Sequence, residues 1–293
     1  MTTSLRRACV MGYPVAQSRS PMIHNHWLAE LGIPGLYELK ELTPEAFPEF
    51  VTNLEANGYV GGNVTVPHKQ AAFRLVQARD AAAEAIGAVN TLWLEGGRLH
   101  GGNSDAHGFI GNLDDTVPGW DARPGRAVIM GAGGAARAAV YSLINRGFTV
   151  ELINRTASHE QELVHQFAKG VTAAGDYAAL SEHLRTADLL VNCTPLGMVG
   201  KPPLEIDLAA LKPSAIVYDV VYVPLETPLL AAARARGHRT VDGLGMLLQQ
   251  AGFGFGKWFG TEPKVTPGLR AMVEADIIAK TPGAVSPGAT RAR

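Results

Sequence analysis

The chain has 293 residues, a length that suits two domains of ordinary size. Hydrophobic residues make up 46% and charged residues 18%, which excludes an intrinsically disordered chain, and a net charge of -1 leaves no basic excess for nucleic acid or anionic lipid. The two cysteines, Cys9 and Cys193, lie in apolar strand-like runs and read as buried thiols, which excludes a disulfide framework.

Arg6 and Arg7 precede an apolar run, but Gly12 and Pro14 break it too early for an export signal. No stretch nears the roughly 20 apolar residues of a membrane span, so the expectation is a cytoplasmic protein. Ala8 to Gly12 reads as a first buried strand. Ser20-Pro21 reads as a helix start, with Ser as N-cap and Pro at the first helical position, and Gly32 as its stop. Leu36 to Leu42 alternates as a strand, Thr43-Pro44 opens a helix ending near Gly58, and Tyr59 to Val66 is the next strand. Short helices follow around His68 to Val76 and Arg79 to Ile86. Ala88 to Leu94 and Arg98 to His100 flank Glu95-Gly96-Gly97, a hairpin signal. Pro118, Gly119, Pro124 and Gly125 punctuate a boundary near Asp114 to Arg126. Strands at Ala127 to Met130, Phe148 to Ile153, Asp188 to Asn192 and Ala215 to Asp219 then alternate with helices, the pattern of a parallel sheet covered on both faces. Gly243 to Gly260 and Pro267 to Lys280 read as closing helices, and the Pro/Gly/Ala-rich tail from Pro282 is expected to be disordered.

Gly131-Ala132-Gly133-Gly134-Ala135-Ala136 follows an apolar strand and opens a helix, fitting G-x-G-x-x-G/A through Gly131, Gly133 and Ala136. The first Gly permits the turn, the second lets the backbone approach a pyrophosphate, and the small third residue lets helix and strand pack closely. Amides at the helix start then face phosphate. At the end of the next strand, Asn154-Arg155-Thr156 stands where an NAD site carries Asp or Glu. No carboxylate is there to repel a 2′-phosphate and Arg155 can pair with one, so NADP is favoured over NAD. The plainer reading makes Arg155 an exposed loop residue and Thr156 or Ser158 a helix cap.

Four clusters in the first half place polar groups beside Gly or Pro: Ser18 to Pro21, Asn63 to Lys69, Val89 to Thr91 and Asn103 to Asp105. Ser18 and Ser20 can donate to a carboxylate at a helix start, although Ser20 also serves as a cap. Asn63 and Asn90 can read ligand hydroxyls or hold their own turns. Lys69 and Asp105 are the chemical candidates: ketone reduction needs a proton donor at oxygen, a lysine in a partly closed cleft loses its proton more readily, and a nearby carboxylate orients it. Otherwise Lys69 is a solvated helix residue and Asp105 an N-cap. His24, His26, His100 and His107 match no metal-ligand spacing, so no metal is expected.

Seven motifs in one order resemble the shikimate dehydrogenase family: Gly12-Tyr13-Pro14 through Ser18-Arg19-Ser20-Pro21 to His24-Asn25, NVTVPHK (63–69), GAVNT (87–91), GNSD (102–105), NCTPLGM (192–198), YDVVYVPLETPLL (218–230) and DGLGMLLQQ (242–250). The resemblance covers about residues 8 to 280. It implies NADPH-linked reversible reduction of 3-dehydroshikimate to shikimate, with Lys69 and Asp105 as catalytic pair. Ser18 and Ser20 would hold the substrate carboxylate, and Asn63, Thr65, Asn90, Tyr222 and Gln250 would contact ring hydroxyls or the carboxylate. Gly131, Gly133, Gly134, Ala135, Asn154, Arg155 and Thr156 would hold the cofactor, and Thr194, Val220, Gly243 and Met246 would flank the nicotinamide. The implied fold is α/β, with a mixed-sheet substrate domain (1–105, completed by 240–281), a Rossmann-like parallel-sheet domain (106–239), the active site in the cleft between them and a tail at 282–293. A monomer or homodimer is expected.

The chain departs from the family pattern in places. Gln17 stands where His is common, Ser104 replaces the usual Thr, and Ala106-His107 follows the Asp where Gly is frequent. His159 stands where a second basic side chain is expected, which keeps NAD or dual use open. Val199-Gly200 leads into a short Lys201-Pro202-Pro203 loop, so the resemblance does not predict the rim of the cleft. Quinate or aminoshikimate use is an alternative within the family, although both Ser18 and Ser20 favour shikimate. A silent dinucleotide-binding sensor is the alternative outside it, disfavoured because a binder needs neither Lys69 nor Asp105.

Overall fold

The computed structural model describes residues 5–167 and 169–281, so the tail expected from Pro282 lies outside the described residues. The chain divides into two compact units: the chain up to Gly108 with Leu248–Val273, and Phe109–Leu247 with the chain from Glu274 onward.

The first unit is built on a mixed six-stranded sheet. Its strands are β1 (Arg6–Gly12), β2 (Gly35–Glu41), β3 (Gly61–Val64), β4 (Ala78–Arg79), β5 (Thr91–Glu95) and β6 (Arg98–Gly102), in the spatial order β2-β1-β3-β5-β6-β4. β1 pairs in parallel with β2 and β3, while β5 runs antiparallel to β3 and β6. Gly96 and Gly97 both take positive φ, 59° and 72°, and turn β5 into β6 as the hairpin signal predicts. Helices α1 (Ser20–Glu30), α2 (Phe47–Thr52), α3 (Lys69–Leu75) and α4 (Ala81–Ile86) connect the strands, and α5 (Ser104–Thr116) follows β6. Cys9, Met11, Phe47, Val51, Val64 and Leu92 belong to one buried cluster.

β2 lies at the edge of this sheet, and Asn25 of α1 covers part of it. Asn25 Nδ2 donates to the Tyr37 carbonyl at 2.9 Å, and the Tyr37 N–H donates back to Asn25 Oδ1 at 2.9 Å.

Two local expectations change. Ser20 is not the cap of α1: Arg19 occupies that position without a side-chain cap, and Ser20 and Pro21 are already helical. The helix expected from Thr43 starts only at Phe47. Thr43 Oγ1 accepts from the Ala46 N–H at 3.4 Å, a turn that competes with helical pairing.

The second unit has six parallel strands: β7 (Arg126–Met130), β8 (Thr149–Ile153), β9 (Val171–Ala173), β10 (Leu189–Asn192), β11 (Ile216–Asp219) and β12 (Arg239–Val241). Their order, β12-β11-β10-β7-β8-β9, reverses direction between β7 and β10, the topological switch point of a doubly wound dinucleotide fold. Helices α6 (Gly134–Asn145), α7 (Ala157–Phe167), α8 (Leu180–Leu184) and α9 (Pro228–Ala235) connect them. The four central strands are apolar over most of their length, because helices cover both faces. Two buried clusters result: one includes Ile129, Leu152, Val191 and Tyr218, the other Val128, Met130, Leu190 and Val217.

α10 (Gly243–Phe259) and α11 (Pro267–Lys280) complete the chain. The division between units falls inside α5, α10 and α11, so these three helices contribute residues to both. No helix among the described residues is long and apolar enough to cross a membrane.

Candidate active site

In the first unit, three strand-to-helix junctions and the link from α4 to β5 carry these polar residues, and those of 63–69, 88–91 and 103–105 meet in one hydrogen-bonded set. Lys69 is the first residue of α3, and its Nζ lies 2.5 Å from Asp105 Oδ2 in the first turn of α5. Asp105 is thus inside the helix and not its cap, where the positive end of α5 favours a carboxylate. Its N–H donates to Asn103 Oδ1 at 3.1 Å, and Asn103 Nδ2 donates to the Ala88 carbonyl at 3.0 Å. The Val89 N–H donates to the Lys69 carbonyl at 3.1 Å, which ties α3 to the same loop.

Asn90 is buried beside this pair. Its Oδ1 accepts from the Ser104 N–H at 2.7 Å and from the Ser104 and Thr91 hydroxyls at 3.1 and 3.0 Å. With Oδ1 saturated, the Nδ2 amide is the group Asn90 can offer a ligand. Asn63 is differently employed: Tyr37 O–H donates to its Oδ1 at 2.6 Å, and its Nδ2 donates to Thr91 Oγ1 at 3.3 Å. Thr91, Asn103 and Ser104, which the polar clusters contained without an assigned role, and Tyr37, which they did not contain, therefore organise the set. Their signal in the sequence was polarity at positions that the strand pattern buries. Thr65 continues from β3, with its N–H on the Met11 carbonyl at 2.9 Å. Ser18 and Ser20 meet through their hydroxyls at 3.2 Å at the start of α1, and the Ser20 N–H donates to Ser18 Oγ at 3.3 Å. Gln250 stands half-buried on α10 in this unit, whereas Tyr222 is half-buried in the second unit.

The second unit carries the glycine-rich turn at its switch point. Gly131 ends β7 with φ of 101°, open to glycine but strained for other residues, and a side-chain carbon there would lie 3.1 Å from Thr194 Cγ2 after β10. A side-chain carbon on Gly133 or Gly134 would meet nothing within 4 Å, so the turn presents bare backbone to open space. Gly133 caps α6 without a side-chain bond, leaving the first amides of that helix for an anion, and Ala136 is fully buried against the sheet. These features fit the pyrophosphate of a dinucleotide.

Asn154, Arg155 and Thr156 follow β8. Asn154 Nδ2 donates to the Thr156 carbonyl at 2.8 Å, its N–H donates to the Gly175 carbonyl at 3.2 Å, and Arg155 is exposed. Glu160 steadies the neighbouring strand end, accepting from the Ala174 and Gly175 N–H groups at 2.7 and 3.1 Å. Thr194 and Val220 follow β10 and β11. Gly243 starts α10 so close to the Val220 carbonyl that any side-chain carbon would collide with it, and Met246 is buried one turn further on.

The family model for the shikimate dehydrogenase substrate binding domain matches residues 10–92, and that for shikimate / quinate 5-dehydrogenase matches residues 119–197. The chain belongs to the shikimate dehydrogenase family. A shikimate dehydrogenase (NADP(+)) of Mesorhizobium japonicum is 57% identical over 281 residues, covering 96% of this chain and 100% of the relative. Among solved structures, shikimate 5-dehydrogenase from Thermus thermophilus, in complex with NADP(H) and shikimate, is similar with a TM-score of 0.81 and 33% identity, covering 93% of this chain and 100% of that one. Quinate dehydrogenase from Corynebacterium glutamicum, in complex with NAD, is similar with a TM-score of 0.84 and 28% identity, covering 92% and 99%. Among the described residues of this family member, no group of three or more His, Cys, Asp or Glu side chains is placed to hold a metal ion.

Proposed function

We propose that this protein catalyses the reversible NADPH-dependent reduction of 3-dehydroshikimate to shikimate. The observation that carries this reading is the Lys69–Asp105 pair at 2.5 Å, in a chain whose relative at 57% identity is a shikimate dehydrogenase (NADP(+)). When bound, the cofactor supplies a hydride to the carbonyl carbon and takes one back in reverse. Lys69 gives a proton to the oxygen that this reduction leaves charged, and removes it in the oxidative direction; arginine could not, because it keeps its proton. Asp105 keeps Lys69 aimed, and the Asn103 bond together with the start of α5 keeps Asp105 in place.

Ser18 and Ser20 donate to the substrate carboxylate. The Asn90 amide, Thr65, Tyr222 and Gln250 take its oxygen atoms, and Asn63 acts with them from within its own network. Gly131, Gly133, Gly134 and Ala135 cradle the pyrophosphate, while Asn154, Arg155 and Thr156 take the adenosine end with its 2′-phosphate. Thr194, Val220, Gly243 and Met246 flank the nicotinamide. The unit that starts the chain is the substrate unit and the other the cofactor unit, in a cytoplasmic enzyme acting as monomer or homodimer. Quinate oxidation with NAD is the second reading, favoured by the likeness to the Corynebacterium glutamicum enzyme.

The test is initial rates at saturating shikimate and quinate, each with NADP and NAD, for wild type and Lys69→Ala. Preference for shikimate with NADP is expected, with kcat of the variant lower by ~10² to 10⁴ and a smaller change in KM. A variant within a few-fold of wild type would remove Lys69 from the chemistry, and comparable rates with quinate and NAD would establish the second reading.

A further inference from the structure

β10 and β11 are apolar until their last residues, Asn192 and Asp219, which are register partners and fully buried. Asn192 Nδ2 donates to Asp219 Oδ1 at 2.9 Å. The Val221 N–H donates to the same oxygen at 3.0 Å, and the Thr227 hydroxyl donates to Oδ2 at 2.7 Å. Each partner then holds a loop. Asn192 Oδ1 accepts from the N–H and hydroxyl of Thr194 at 3.0 and 2.7 Å, and Thr194 Oγ1 accepts from the Leu196 N–H at 3.1 Å. Thr227 caps α9 through the Leu230 N–H. The Val220 N–H bonds the Asn192 carbonyl at 3.0 Å, and the Val220 carbonyl is the surface on which Gly243 rests.

We propose that Asp219 is a positioning residue for the nicotinamide end of the cofactor site, acting through the Thr194 and Val220 loops that its carboxylate ties together. This rests on the reading of the second unit as the NADP unit. All three groups facing Asp219 are donors, and an ionised carboxylate is the side chain that accepts from all of them at once. None is charged, and the titratable groups nearby are the Cys193 thiol just after β10 and the Tyr218 phenol that precedes Asp219 in β11. Burial pushes the Asp219 carboxyl up to about 6, against the pull of the Thr227, Val221 and Asn192 bonds. A carboxyl raised in the folded state favours the fold at low pH, and that contribution is lost as pH rises through about 6. At neutral pH the fold thus keeps a charge that costs it stability, at the point where two cofactor-flanking loops join.

Asp219→Asn removes the charge and sets an N–H against the Thr227 hydroxyl. The experiment measures NADPH Kd by nicotinamide fluorescence, and Tm, for wild type, Asp219→Asn, Thr227→Val and Thr227→Ser between pH 5.5 and 8. At pH 7.5 we expect Asp219→Asn to melt no lower than wild type yet bind NADPH ~10-fold more weakly. The ratio of its Kd to that of wild type should fall toward one below pH 6, where wild type is itself neutral at this position. Thr227→Val should weaken binding in the same direction, and Thr227→Ser should restore it. Equal Kd in wild type and Asp219→Asn overturns the proposal, as does a loss of affinity matched by a fall in Tm that Thr227→Ser shares. If Asp219→Asn does not fold, the Thr227 pair decides alone. Wild type that binds no NADPH would overturn the functional reading itself, and this inference with it.

Discussion

His24 is fully buried, stacks on Tyr37 with ring centroids 4.1 Å apart, meets Trp27 and Trp258 edge-on, and has the Asn63 side chain as its polar neighbour. Burial pushes its imidazole down to about 3, so it is neutral at physiological pH. A base whose folded value lies below the unfolded ~6.5 contributes fully above that pH and loses its contribution as pH falls toward the folded value. At pH 5 the loss is about 2 kcal/mol. His24→Phe should therefore flatten the fall in Tm between pH 7 and pH 5, measured by thermal unfolding at both; an unchanged slope would assign the acid sensitivity to other groups. The pairing of Lys69 with Asp105 was legible in the sequence, because the chemistry asks for those two residue types side by side, and they meet at 2.5 Å. A role was less legible where it depends on which atoms are already paired. Asn63 and Asn90 look alike in their motifs, yet the Asn63 amide is taken by Tyr37 and Thr91, while Asn90 holds Ser104 and Thr91 through its Oδ1.

The elements proposed to form the cofactor side are loops set on strand ends, and their predictions belong there. Arg155 extends from the end of β8 into solvent, on a loop held by Asn154 and, through Gly175, by Glu160. Because the loop is fixed by these other residues, Arg155→Ala should raise the KM for NADPH and leave that for NADH nearly unchanged, as steady-state kinetics with both will show. Equal losses with both would make Arg155 structural. Among the elements themselves, the central strands were legible because strands covered on both faces read as unbroken apolar runs. β4, β9 and β12 were not: they have two, three and three residues, with exposed or polar members such as Thr172 and Arg239. Short edge strands are specified by their neighbours more than by their own pattern.

At the scale of the molecule, α5, α10 and α11 each belong partly to one unit and partly to the other. A helix melts cooperatively, so shared helices oppose separate unfolding of the units. A calorimetric scan should show one transition, and NADPH at 100 times its Kd should stabilise it by about 2.7 kcal/mol. Two peaks, with only one moved by NADPH, would show the units to be energetically independent. The doubly wound fold was legible from strand–helix alternation, whereas the passage of single helices through both units was not, since a helical pattern carries no mark of where a division falls.

The Asn25 amide on the edge of β2 has a consequence beyond local order. A strand backbone alternates its bonding direction residue by residue, so the groups of Tyr37, Leu39 and Glu41 point away from β1, and Asn25 occupies those of Tyr37. Leu36 and Leu39 are exposed on this strand, the combination of apolar side chains and open backbone on which a foreign strand could template itself. By filling the Tyr37 groups, one side chain shortens the run of open backbone on which such growth could begin.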